Sequence, residues 1–343
     1  MSEKNTFESL NIAKNLVENL HKINITQPTN VQLQVIPLLN QGKSLLFQSE
    51  TGTGKTFTFL LPLLTKIETE NDFSKNIKVL IVAPTFELAS QIKTQIQLVS
   101  QIKTALLIGG APIKRQTESL KEKPAVVIGT PARLVELYNL KKLKLDDLNA
   151  MVLDEADRLF SPELRETTQE LLSIPKKNIQ LIASSATITK SVQESLQKSK
   201  IRTDGTEAAL IETLFLPPED VLKKRITHLA VFAERRNKIE TLRKIIIAEK
   251  PSKCLIFTSR LDQVEIIVSK LKFKGIECYG LHAKTDKTLR KSTIDRFRSS
   301  KIKILVTSDL TSRGMDIPDI SHVIQMDLPS NEDFFIHRAG RTA

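Results

Sequence analysis

The segment Ser49-Glu50-Thr51-Gly52-Thr53-Gly54-Lys55-Thr56 joins an apolar run, Leu45 to Gln48, to the helical run Phe57 to Leu64. Glycines at a strand-to-helix junction let backbone amides close around phosphate oxygens, a lysine reaches the outer phosphates of a nucleotide, and an adjoining hydroxyl can ligate magnesium. Gly52, Gly54, Lys55 and Thr56 stand at the positions those roles require, although Ser49 replaces the glycine that opens the strict form of the loop. A second candidate follows the apolar run Met151-Val152-Leu153. Here Asp154 can hold the same magnesium and Glu155 can orient or deprotonate an attacking water. Acidic residues at a helix start also complement the helix dipole, but together with a phosphate loop they point to hydrolysis of a nucleoside triphosphate.

Elements that could carry these residues are visible in the hydrophobic pattern. Short Ile, Val and Leu runs alternate with amphipathic segments, as parallel sheets covered by helices require. The expected strands are Leu45 to Gln48, Val79 to Ala83, Ala125 to Gly129, Met151 to Leu153 and Gln180 to Ala183, then Lys253 to Phe257, Ile276 to Tyr279, Ile302 to Thr307 and Val323 to Met326. Ile92, Ile96, Val99 and Ile102 recur at helical spacing and predict one buried helical face. The runs end in Pro84-Thr85, Gly109-Gly110, Thr130-Pro131, Asp154-Glu155 and Ser185-Ala186-Thr187, and later in Thr258, His282, Thr307-Ser308-Asp309 and Asp327. Ligands of open α/β sheets bind at that edge. Leu216-Pro217-Pro218-Glu219-Asp220 interrupts the alternation, so the chain is expected to form an α/β domain over 1–216, a linker over 217–225 and a second α/β domain over 226–343.

With 343 residues and 40% hydrophobic content the chain can bury two cores. Its 51 Lys and Arg against 39 Asp and Glu leave a charge of +12, which favours polyanionic partners. No Trp and only two Tyr are present, so an aromatic platform for bases is not evident, and tracking of a sugar-phosphate backbone is the expected mode. Cys254 and Cys278 have no zinc spacing and read as buried strand residues. The first ten residues lack the apolar core of a signal peptide and no apolar stretch is long enough to span a bilayer, which predicts a cytoplasmic location.

Asp154-Glu155-Ala156-Asp157 together with the phosphate loop resembles the DEAD-box RNA helicases, and motifs in that family's order extend from Phe7 to the last residue. The resemblance implies two tandem RecA-like domains, each a mainly parallel sheet flanked by helices. It also implies ATP with Mg²⁺ as cofactors, RNA as partner through its backbone, a monomer that protein activators or ribonucleoprotein complexes could engage, and RNA-stimulated ATP hydrolysis coupled to local duplex unwinding or remodelling. Gln32, in a motif spanning about 6–34, would read adenine while Phe7 packs on the base. Asp157, Ser185, Ala186, Thr187 and His337 would couple hydrolysis to strand separation. Gly314 and Asp316 would meet the nucleotide, and Arg338 and Arg341 would reach the γ-phosphate.

RNA would lie over Pro84, Thr85, Gly109, Gly110, Thr130, Pro131 and Arg133, then Arg290, Thr307 and Arg313. Several positions depart from the family pattern: Phe86 stands for the usual Arg, Ala132 and Ala283 for Gly, and Lys287 near the usual Gln. The chain stops at Ala343 where the family continues, so truncation is expected. An ATP-gated RNA clamp uses the same motifs, and a DNA-directed motor with a phosphate loop is the remaining alternative.

Overall fold

Strands whose side chains are apolar on both faces can be stable only between two layers of helices. Val79–Val82 (β2), Val126–Gly129 (β4) and Ala150–Leu153 (β5) are of this kind and are buried along their whole length. The computed structural model describes residues 5–48, 53–69, 76–175, 179–197, 211–216, 226–282, 284–308, 317, 319–329, 335 and 338–342. The chain divides into two units, Met1–Glu219 and Asp220–Ala343.

In the first unit Leu45–Gln48 (β1), Thr104–Leu107 (β3), Gln180–Ser185 (β6) and Glu212–Leu214 (β7) complete a sheet of order β3-β4-β2-β5-β6-β1-β7. Every hydrogen-bonded pair in it is parallel. Alternation along the strands sorts side chains between two cores. Leu45, Phe47, Val79 and Ile81 face Lys14–Lys22 (α1), Asn30–Asn40 (α2), Lys55–Thr69 (α3) and Phe86–Val99 (α4). Leu46, Leu80 and Val82 face Ile113–Lys121 (α5), Pro131–Asn139 (α6), Ala156–Leu159 (α7), Arg165–Ser173 (α8) and Lys190–Gln197 (α9). The N-terminal stretch and α1 are fastened to the first core by Phe7 and by three polar ties. Thr65 Oγ1 accepts from the Ala13 amide at 3.1 Å, Glu68 from Asn15 Nδ2 at 2.6 Å, and the Val99 carbonyl from Asn19 Nδ2 at 2.8 Å.

The second unit repeats the plan with Cys254–Thr258 (β8), Tyr279–Leu281 (β9), Ile304–Ser308 (β10) and His322–Gln325 (β11), ordered β11-β8-β10-β9 and paired in parallel. Its helices are Lys238–Glu249 (α10), Leu261–Phe273 (α11) and Lys287–Arg298 (α12). Both cysteines are buried and free, and burial pushes their thiols up, to about 12 for Cys254 and about 11 for Cys278. No helix among the described residues is long and apolar enough to cross a membrane.

Three details depart from the sequence pattern. Strand β7 was not signalled and β3 only by its end at Gly109-Gly110, because both are edge strands of three or four residues with only partial burial. Strand β9 begins at Tyr279 rather than Ile276, since the Ile276 amide still bonds the Leu271 carbonyl in the turn that ends α11. Ile102 lies beyond the end of α4, where the Ser100 amide closes on the Ile96 carbonyl, yet it is buried in the same core as Ile92, Ile96 and Val99.

Gly129, the last residue of β4, is dictated by proximity. A Cβ there would meet the Leu107 carbonyl at 2.5 Å and the Leu134 side chain at 2.7 Å. Neither a strand backbone nor a core leucine can yield by that much without repacking. Gly129→Ala is expected to lower the unfolding free energy of the protein by about 1–3 kcal/mol, the usual cost of overpacking, as read by urea denaturation. An unchanged midpoint would contradict this account of the glycine.

Candidate nucleotide and nucleic-acid site

Because the strands are parallel, their C-terminal ends collect at one edge, and the sequence-predicted residues of the first unit lie there. Thr53, Gly54, Lys55 and Thr56 lead from β1 into α3; Ser49, Glu50, Thr51 and Gly52 fall outside the described residues. The Gly54 carbonyl accepts from the Thr58 amide at 3.2 Å, from Thr58 Oγ1 at 3.1 Å and from Gln32 Nε2 at 3.1 Å. Gly54 has φ +87°, a conformation that favours glycine, and a Cβ on it would lie 2.7 Å from Gln32 Nε2 and displace that amide. Gln32, buried in the first turn of α2, also accepts from the Thr29 amide at 2.9 Å. Its amide therefore clips the start of α2 to the phosphate loop. Phe7 is 1% exposed, with its ring committed to the first core.

Asp154 directly follows β5 and is 3% exposed. Its Oδ1 accepts from Ser184 Oγ on β6 and from the Glu155 amide at 3.1 Å. Burial pushes its carboxyl up to about 6, against the opposing pull of Lys55 and the Ser184 hydrogen bond. A desolvated acid with a lysine in electrostatic reach and a hydroxyl beyond it at Thr56 fits a divalent cation, whose charge would offset the penalty of ionising it. Ser184 was not singled out from the sequence, where it is one small residue in an otherwise apolar strand.

Glu155 caps α7 in the left-handed region, φ 53° and ψ 57°. That conformation costs a non-glycine residue about 1–2 kcal/mol and turns the chain sharply at the strand end. Two residues on, Asp157 is joined to the next strand: Ser185 Oγ accepts from the Asp157 amide at 3.3 Å and has both Asp157 Oδ1, at 2.9 Å, and the Thr187 carbonyl, at 2.6 Å, as acceptors. The Ala186 carbonyl accepts from Gln48 Nε2 at 3.1 Å. Ser185, Ala186 and Thr187 are thus tied on one side to Asp157 and on the other to the strand that feeds the phosphate loop. Gln48 is a second residue the sequence reading passed over, its signal being one amide at the end of an apolar strand. The Thr187 hydroxyl is buried and has no partner among the described residues.

Of the expected nucleic-acid contacts, Pro84 and Thr85 precede α4, with Thr85 Oγ1 accepting from the Leu88 amide at 3.3 Å, and Phe86 is exposed at the first position of the helix. Gly109 and Gly110 form an exposed turn held from below by Gln116. This buried amide accepts from the Ile108 amide at 3.0 Å and donates to the Ile108 and Ala111 carbonyls at 3.0 and 3.1 Å. Thr130 and Pro131 begin α6. Where the expectation has Arg133 facing RNA, the structure has it 9% exposed, paired with Glu136 at 2.8 Å and donating to the Ala111 carbonyl at 2.9 Å. It supports the glycine turn from inside.

In the second unit Thr307 is buried on β10, and Arg290 is half-buried on α12. Arg313, Gly314, Asp316 and His337 fall outside the described residues, as does the Arg341 side chain. Where the expectation has Arg338 reaching a phosphate, the structure turns it inward at 2% exposure. Its guanidinium donates to the Asp327 carbonyl at 2.8 Å, Gln325 Oε1 at 3.2 Å and Ser259 Oγ at 3.0 Å, over the Phe257 ring. Asp327 in turn accepts from Ser259 and Thr258. Arg338 therefore locks the ends of β8 and β11 to the helical turn that includes Arg341.

Comparison with known proteins places the whole chain in one family. The DEAD/DEAH box helicase family matches residues 29–195, and the helicase conserved C-terminal domain matches residues 237–343. DEAD-box ATP-dependent RNA helicase CshC of Bacillus cereus is 35% identical over 324 residues, covering 94% of this chain and 80% of the relative. Probable ATP-dependent RNA helicase YfmL of Bacillus subtilis is 34% identical over 328 residues, covering 95% and 84%. Among solved structures, S. cerevisiae Dbp5 bound to RNA and ADP BeF3 superposes with a TM-score of 0.86 at 26% identity over 98% of this chain and 86% of that one. Mss116 bound to ssRNA and UDP-BeF gives 0.86 at 28% identity over 100% and 73%.

The raised carboxyl of Asp154 has a measurable consequence. A folded state that prefers the protonated acid suffers no penalty below pH 3.8, the ordinary value, and the full penalty once pH passes about 6. Asp154→Asn, which keeps the acceptor oxygen, is expected to stabilise the empty protein by about 1–3 kcal/mol at pH 7.5 and by nothing below pH 4. Denaturation curves at the two pH values check this, and a difference independent of pH would refute the assignment.

Proposed function

The chain belongs to the DEAD-box ATP-dependent RNA helicases, and on that premise we propose how its residues divide the work. It hydrolyses ATP and acts on RNA. The observation that carries the residue assignments is the set of bonds linking phosphate loop, Asp154-Glu155-Ala156-Asp157 and Ser185-Ala186-Thr187 at one sheet edge.

In this reading Lys55 and the amides of the loop bind the ATP phosphates. Thr56 and Asp154 would hold a magnesium ion, which when bound neutralises phosphate charge. Glu155, aimed by its left-handed backbone, takes the proton of the attacking water. Asp157 senses that chemistry through the Ser185 hydroxyl, and Gln48 relays strain between β1 and Ala186. The Thr187 hydroxyl, which has no partner among the described residues, can take a new one when the triplet rearranges. Gln32 reads the adenine edge with the donor and acceptor capacity that its protein bonds leave unused, since an amide offers two of each. Arg338 positions the turn bearing Arg341.

RNA contacts come from Thr85, the glycine turn and Thr130, groups suited to phosphates and 2′-hydroxyls and carrying little sequence information. RNA-stimulated hydrolysis then drives local unwinding.

Two measurements test the assignments. Phosphate release by the wild type is expected to rise with RNA, whereas Glu155→Gln drops turnover by about 10²–10⁴, the usual worth of a general base, while still binding ATP; unchanged turnover would remove Glu155 from this role. Gln32→Ala is expected to narrow the preference for ATP over GTP and also to lower the melting temperature, because Gly54 loses a donor. Should nucleotide preference survive while the melting temperature falls, Gln32 is a structural clip alone.

A further inference from the structure

The net charge is unevenly shared. Residues 220–343 contain 25 Lys and Arg against 15 Asp and Glu, so +10 of the total +12 belongs to the second unit. Part of that excess gathers where α11 ends and β9 begins. Lys272 Nζ lies 5.0 Å and the Arg296 guanidinium 4.8 Å from the centroid of the Tyr279 ring, and Arg296 Nη2 also donates to the Tyr279 hydroxyl at 3.2 Å. Beside them Phe273 is 87% exposed, with Lys274 Nζ 6.0 Å from its ring. The nearest carboxylates are already engaged: Glu277 accepts from the Tyr279 hydroxyl at 3.0 Å, and Glu240 pairs with Arg243 at 2.6 Å. Among the described residues none forms an ion pair with Lys272, Lys274 or Arg296.

Two cations drawn to one ring repel each other, and a phosphate placed between them would relieve that repulsion. An uncovered phenylalanine next to them provides a face on which a base can stack. Phosphate contacts interleaved with an aromatic face are the way proteins hold single strands without reading sequence. A duplex keeps its base faces hidden and could use only the cations. The patch sits at the N-terminal end of β9, away from the C-terminal strand end that carries Thr307.

We propose that Lys272, Phe273, Lys274 and Arg296 form a second RNA-binding surface, which holds a single-stranded extension of the RNA on which the helicase acts. The proposal rests on the RNA helicase reading above. It would keep the enzyme attached to its substrate between cycles of hydrolysis.

The test uses the full chain as wild type, Phe273→Ala and Lys272→Gln/Lys274→Gln, with a blunt RNA duplex and the same duplex carrying a single-stranded extension. Fluorescence anisotropy is expected to show affinity for the extended RNA falling about tenfold in each variant, within the range for loss of one stacked base. The salt dependence of the double variant should weaken by about 1.4 in the logarithmic slope, for two lost single-strand phosphate contacts. Affinity for the blunt duplex and turnover at saturating RNA should not change. Equal affinity of all three proteins for the extended RNA would overturn the proposal, as would an equal loss on the blunt duplex. So would unaltered RNA binding together with lost affinity for a polyglutamate peptide, which would make the patch a protein-docking surface. Failure of blunt RNA to stimulate wild-type turnover would count against the helicase reading itself, and the affinity comparison would still decide the patch.

Discussion

Parallel pairing is the constraint from which the rest of this structure follows. A parallel strand must be reached by a crossover, so β1 to β6, β8 and β9 are each followed by a helix, and parallel strands end at the same edge of their sheet. In the first unit that geometry delivers the phosphate loop, Thr85, Thr130, Asp154 and Ser185 to one rim without any of them being near in sequence. It also explains why β1 and β6 are in contact, which lets Gln48 reach Ala186 and puts the triplet after β6 beside the loop after β1. The apolar faces contribute the stability, and the rim is where that stability is given up.

Three costs are concentrated there. Asp154 is buried against its ionisation, Glu155 holds a backbone conformation unfavourable to a side chain, and the Thr187 hydroxyl is buried without a partner among the described residues. Each is small beside the two cores, and under the proposed function each would have a use: a carboxylate that gains by meeting a cation, a base aimed away from its strand, and a hydroxyl able to take a new partner. Strain placed at the rim can be exchanged for ligand binding, which strain placed in the core could not.

The basic residues show a division that charge counting conceals. Arg133 and Arg338 spend their charge inward, joining loops and strand ends through several donors at once, as the forked guanidinium allows. Lys272 and Lys274 keep theirs in solvent.

Much of this was legible in the amino-acid order. Apolar runs such as Val79–Val82 marked buried parallel strands, the Gly-Lys-Thr triplet marked the turn from β1 into α3, and Asp154-Glu155 directly after Met151–Leu153 marked the C-terminal end of β5, because local pattern and residue type coincide at those places. Edge strands β3 and β7 lacked the double-sided burial that makes a run recognisable. The roles of Ser184, Gln48 and Gln116 were out of reach for a different reason: a lone hydroxyl or amide has no periodicity, and its partner lies 30, 138 or 8 residues away along the chain. Sequence alone determined which residues have the chemistry for ATP and the order of the strands that carry them, since those depend on residue type and local spacing. Only the tertiary structure decided which way Arg133 and Arg338 point and what pushes Asp154 toward protonation, since direction and desolvation arise from neighbours that folding supplies.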